Sequence, residues 1–170
     1  MKIIDELFNL TNHTAIVAGG AGAIGSGMSE TLLKAGANVI IWSRSNSSLE
    51  EVRLKLMQYT SNPEQIYTCR VDTADEQAVA AALTRSQIEM GTADILVNTV
   101  GGNMGKTDFI DTDLDQFIKI VELNLMAGLM VPTKIVAADW INKKIKGSII
   151  NLASMASYNP LSGVWAYDAA

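Results

Sequence analysis

A chain of 170 residues, 48% apolar and 18% charged, is long enough for one sizeable core and too apolar to remain disordered. A net charge of −5 with scattered basic residues argues against nucleic-acid binding, which needs clustered Lys and Arg. One cysteine, Cys69, excludes an intrachain disulfide framework and fits a reducing cytosol, and one histidine, His13, cannot build a metal cluster.

At the N-terminus Asp5 and Glu6 stand where a signal peptide would need an apolar core. The longest apolar stretch, 123–132, is too short to span a bilayer, so no membrane segment and a cytoplasmic location are expected. His13 leads into the first apolar run, 14–19. Four more runs follow at 38–42, 66–71, 94–98 and 147–153, with Cys69 a buried residue of the third. Helical stretches separate them, near 23–35, 49–60, 75–90 and 113–143.

Ser48 with Glu51 and Thr73 with Glu76 have capping-box spacing, and Thr112 with Asp115 opens the long helix. Gly36 and Gly91 follow helical runs, where a left-handed residue ends a helix. Asp111, Asp113 and Asp115 read as acids favouring a helix N-terminus, not as a metal site. Lys143, Lys144 and Lys146 read as a solvated helix end. Strands apolar on both faces, alternating with helices, predict a doubly wound, Rossmann-like α/β domain over 1–170, its parallel sheet flanked by helices.

The first strand runs into "AGGAGAIGSG". Glycines there permit a tight turn and close backbone approach, and the following helix aims its free amides and positive dipole end at the turn. That is a seat for a pyrophosphate. A tight turn without ligand is the bland reading, and a methyltransferase of the same topology is a further one. A P-loop is disfavoured because no Gly-Lys-Ser/Thr follows. The second strand closes on Ser43 and Arg44 in place of an acid. A hydroxyl and a guanidinium favour a 2′-phosphate, so NADP(H) is expected ahead of NAD(H), which stays possible. A surface arginine is the alternative.

With these motifs and the pair Ser154 and Tyr167, thirteen positions apart, the sequence resembles the short-chain dehydrogenase/reductase family along essentially its whole length. The family's Thr-Gly-x-x-x-Gly-x-Gly is met by Ala18-Gly19-Gly20-Ala21-Gly22-Ala23-Ile24-Gly25, with Ala18 and Ala23 departing from the pattern. Ala18 lacks a hydroxyl that in the family braces the neighbouring strand. The resemblance implies that Gly19, Ala21, Gly22, Ile24 and Gly25 hold the cofactor, that Asp72 contacts adenine, and that Asn98 and Gly101 line the site.

It further implies hydride transfer between nicotinamide and a carbinol carbon. Tyr167 would be the acid/base, Ser154 (not Ser157) would hold the substrate oxygen, and Asn124 would anchor a water behind them. A free tyrosine has a pKa of about 10, so bringing it near neutrality takes roughly 4 kcal/mol. One ammonium about 4 Å away supplies about that at an effective dielectric of 20. The family's lysine would fall at position 171, one past Ala170. The expectation is therefore that C-terminal strands lie beyond the 170 residues, and that these residues alone are nearly inactive. The long helix packs between subunits in the family, so a homodimer or homotetramer is expected, with Met126 and Met130 as packing residues. The loop "VGGNMGKTDF" is reminiscent of members acting on sugar acids and polyols. A non-catalytic nucleotide-binding module is the alternative function.

Overall fold

The computed structural model describes residues 7–170. Five strands form one all-parallel sheet in the order β3-β2-β1-β4-β5: β1 Thr14–Ala18, β2 Asn38–Ser43, β3 Ile66–Arg70, β4 Ile95–Asn98 and β5 Ser148–Asn151. The helices are α1 Ala23–Lys34, α2 Asn46–Leu56, α3 Glu76–Met90, the long α4 Leu114–Lys143 and the short α5 Trp165–Ala169. The order reverses between β1 and β4, the switch point at which ligands of such sheets bind.

Alternation along the strands builds two cores. Ile16, Ile40, Trp42 and Leu96 meet Val79 and Leu83 of α3 and Val136 and Trp140 of α4 on one face. Val17, Val39, Ile41 and Val97 meet Leu33 of α1 and Leu49, Val52 and Leu56 of α2 on the other. This double cover is why the central strands read as unbroken apolar runs. The two deepest tryptophans satisfy their N–H groups: Trp42 Nε1 donates to Ser86 Oγ at 3.1 Å, and Trp140 Nε1 to the Ala93 carbonyl at 2.7 Å. Cys69 is buried in β3, as expected. His13 is tied into the base of the sheet, Nδ1 donating to Asp94 Oδ2 at 2.6 Å, while Asp94 Oδ1 accepts from Thr14 N.

Several boundaries differ from the sequence reading. The caps are Ser45, Asp75 and Asp113, whose side chains accept from the first-turn amides of α2, α3 and α4, not Ser48, Thr73 and Thr112. Each true cap has extended backbone, which spacing alone does not reveal. Gly36 and Gly91 do take positive φ, at 97° and 74°. Helix α4 is continuous for 30 residues, with π geometry over Glu122–Met130. By length and composition alone it could cross a bilayer, contrary to the expectation of no such segment, although its C-terminal part packs on the sheet through Val131, Val136 and Trp140. Met126 and Met130 are 41% and 48% exposed, only partly covered within this chain. The fifth strand is shorter than the 147–153 predicted and mostly exposed, with Ile150 at 47%. Ile150 borders an apolar depression of about 490 Å³ shared with Ile24, Met28 and Val97.

Candidate cofactor and active site

The glycine turn is fixed by contacts that admit no side chain. Gly19, at φ 81°, has no room for a Cβ, which would lie 2.7 Å from Thr99 Oγ1. A Cβ on Gly25 would lie 2.2 Å from the Gly19 carbonyl oxygen and 2.7 Å from Thr99 Oγ1. Thr99, just after β4, donates its hydroxyl and its backbone N–H to the Ala18 carbonyl, both at 2.8 Å. The exit from β4 is thereby tied to the last residue of β1. Sequence reading missed Thr99; the available signal was a threonine hydroxyl entering beside a strand that had lost one.

The turn delivers α1 with Gly22 as its N-cap and no side-chain cap. This sets it apart from α2, α3 and α4, whose first-turn amides are occupied by Ser45, Asp75 and Asp113. The free amides of α1 and its positive dipole end open onto the turn, which suits an anion.

In front of the turn lies a cleft at the carboxyl ends of β1 to β4. One chamber, about 340 Å³, is lined by Gly19, Gly22, Ser43, Arg44, Thr99 and Gly101, with Trp42 and Val71 as apolar wall. A second, about 240 Å³, is lined by Asp72, Ala74, Lys119 and Glu122 and shares Arg44, Thr73, Val100 and Leu123 with the first. Asp72 accepts from Ala74 N through Oδ1 at 3.0 Å. A glycine cradle, uncapped amides, an apolar slot and a rim of Ser43 and Arg44 fit an adenine dinucleotide.

Six of the residues expected to hold the cofactor therefore converge: Gly19, Gly22, Ser43, Arg44, Asp72 and Gly101. Gly25 lies buried beneath the turn. Ala21 packs against the α1–α2 core, and the Ile24 side chain, 62% exposed, faces the apolar depression, so these two have only backbone to offer the cleft. Asn98 is 1% exposed, and its amide donates to Thr133 Oγ1 at 2.9 Å and Asn151 Oδ1 at 2.8 Å, joining β4 to α4 and β5.

Asn124 lies in the π segment of α4. Its Oδ1 accepts from Gly102 N at 2.9 Å, and Nδ2 donates to the carbonyls of Gly102 and Ile120, each at 2.8 Å. The amide thus grips the loop after β4, and a Cβ on Gly101 would lie 2.7 Å from Asn124 Oδ1. Ser154 follows β5; its Oγ accepts from Ala156 N at 3.2 Å, capping the turn Met155–Ser157 and leaving its own O–H free to donate. Tyr167 is half-buried on α5. That helix is moored to the loop after β4: Trp165 Nε1 donates to the Thr107 carbonyl at 3.0 Å, Thr107 N donates to the Gly163 carbonyl at 3.0 Å, and Phe109 packs edge-on to Trp165 at 5.7 Å. Trp165 and Thr107 were not singled out from the sequence.

The family model described as short chain dehydrogenase matches residues 13–170. A 2-dehydro-3-deoxy-D-gluconate 5-dehydrogenase of Formosa agariphila is 28% identical over 165 residues, covering 97% of this chain and 61% of that protein. The NAD+-bound structure of a xylitol dehydrogenase superposes with a TM-score of 0.87 at 21% identity, over 94% of this chain and 60% of the other. The NADPH-bound structure of a short chain oxidoreductase from Pseudomonas aeruginosa PAO1 superposes at 0.85 and 23% identity, over 95% and 61%. The two structures establish the fold, and the chain spans about three-fifths of the length of each of these proteins.

Proposed function

This chain belongs to the short-chain dehydrogenase family, and from that premise we propose that it serves an NADP(H)-dependent oxidoreductase interconverting an alcohol and a carbonyl. The observation that carries the reading is the uncapped N-terminus of α1 opening onto a cleft whose β2 rim bears Ser43 and Arg44 and no carboxylate. A carboxylate there would repel a 2′-phosphate; a guanidinium attracts it. Gly19, Ala21, Gly22, Ile24 and Gly25 would seat the diphosphate, Asp72 the adenine, and Asn98 and Gly101 would support the nicotinamide side.

Bound NADP(H) would supply the hydride acceptor or donor. Tyr167 would move the matching proton, and Ser154 would donate its free O–H to the substrate oxygen. Asn124 would hold the Gly102 loop behind them, keeping one lone pair on Oδ1 for a water. A sugar acid or polyol is the proposed substrate class, after the Formosa relative's name and the "VGGNMGKTDF" loop. A cytoplasmic homodimer or homotetramer, joined over the exposed Met126 and Met130 face, completes the reading.

Fluorescence titration with NADPH and NADH, followed by an absorbance assay of NADPH oxidation over a panel of carbonyl compounds, tests it. Saturable binding with NADPH preferred, and turnover that falls at least about 100-fold in Tyr167→Phe, is the expected result. Tight binding with no turnover on any carbonyl would favour a non-catalytic nucleotide-binding module, and absence of binding would sink both.

A further inference from the structure

We propose that Arg70 is a positioning residue that sets preference for the 2′-phosphate, by clamping the turn that carries Ser43, Arg44 and Ser45; this rests on the NADP(H) reading above. Arg70 is the last residue of β3 and the register partner of Ser43. Beyond that pair, Val71 N donates to the Ser43 carbonyl at 2.9 Å. One residue further along β2's exit, Arg70 Nε donates to the Arg44 carbonyl at 3.1 Å. The ladder between the strands is thereby extended by a side chain into the turn, where the Arg44 carbonyl has no β3 backbone partner among the described residues.

The clamp has a directional consequence. The Arg44 carbonyl is held towards β3, which fixes the peptide plane from which the Arg44 side chain departs along the cleft rim. A guanidinium is planar, so a bond through Nε also sets the direction of its remaining N–H groups. Among the described residues, neither Arg44 nor Arg70 pairs with a carboxylate. Asp72, the nearest acid in sequence, turns back to Ala74 N. Arg44 is thus an exposed, unpaired cation held at the rim, an arrangement that a dianionic group relieves and an uncharged ribose hydroxyl does not.

Binding of adenosine 2′,5′-bisphosphate and of 5′-AMP, which lacks the 2′-phosphate, reads this without turnover. The unaltered protein should prefer the bisphosphate by about tenfold or more. Arg70→Met should lower bisphosphate affinity about fivefold to tenfold and leave 5′-AMP within about twofold, with an unchanged circular dichroism spectrum because Arg70 is exposed. Arg70→Lys keeps the charge and lacks the planar Nε donor, so it should stay close to Arg70→Met. An undiminished preference in Arg70→Met, full recovery in Arg70→Lys, or an equal loss for both ligands would overturn the clamp. No preference in the unaltered protein would overturn the NADP(H) reading itself, and the clamp with it.

Discussion

Residues 18–25 and residues 154–167 face the same edge of the sheet and are held by different means. In the first segment the turning glycines lie against backbone or against a braced hydroxyl, and a single added carbon has nowhere to go at Gly19 or Gly25. In the second, the chain crosses an exposed stretch, Ser157 to Ser162, and its helix is moored by a few hydrogen bonds and one ring contact. The difference teaches that the candidate nucleotide seat is built into the core, whereas the geometry of Ser154 and Tyr167 depends on contacts between loops. Rigidity at the seat suits a ligand bound by backbone amides, which cannot adjust as side chains can.

Four substitutions break or sharpen that contrast. Gly25→Ala should have the largest effect, since its Cβ would lie 2.2 Å from backbone. A loss of about 3 kcal/mol or more in urea unfolding, with loss of NADPH binding, is expected. An alanine tolerated without either change would show that the seat is not rigid. Thr99→Val keeps the shape and removes the hydroxyl bond to Ala18, so a loss of about 1 kcal/mol is expected, together with weaker NADPH binding.

On the looser side, Trp165→Phe removes one indole bond to the Thr107 carbonyl. Global stability should fall by no more than about 1 kcal/mol, while hydrogen exchange should accelerate over residues 158–169. Exchange spread evenly over the sheet would place Trp165 in the core unit instead. The smallest effect belongs to Ile150→Thr on the uncovered face of β5, within about 0.5 kcal/mol by urea unfolding. A loss several times larger would mean that this face is covered in solution.

Much of the seat was legible in the sequence because its signals are local. Apolar runs buried on both faces marked the strands, "AGGAGAIGSG" marked the turn, and the residues closing β2 marked the rim. The caps were misassigned because each candidate polar cluster offers several acceptors. Which one meets the first-turn amides depends on which residue keeps extended backbone at the helix entry. Met126 and Met130 stay partly exposed within this chain, because helical periodicity reports apolarity and not the neighbour that covers it.

Local chemistry thus determined the α/β architecture, the glycine turn and the serine–tyrosine spacing, since each depends on residues within one or two turns of chain. Tertiary structure alone decided that Thr99 braces Ala18 across 81 positions, that Trp165 holds Thr107 across 58, that Asn124 grips Gly102 across 22 and that Arg70 reaches Arg44 across 26. Those bonds require two distant segments to meet at hydrogen-bonding distance, and the strand order and the exits from each strand set that meeting.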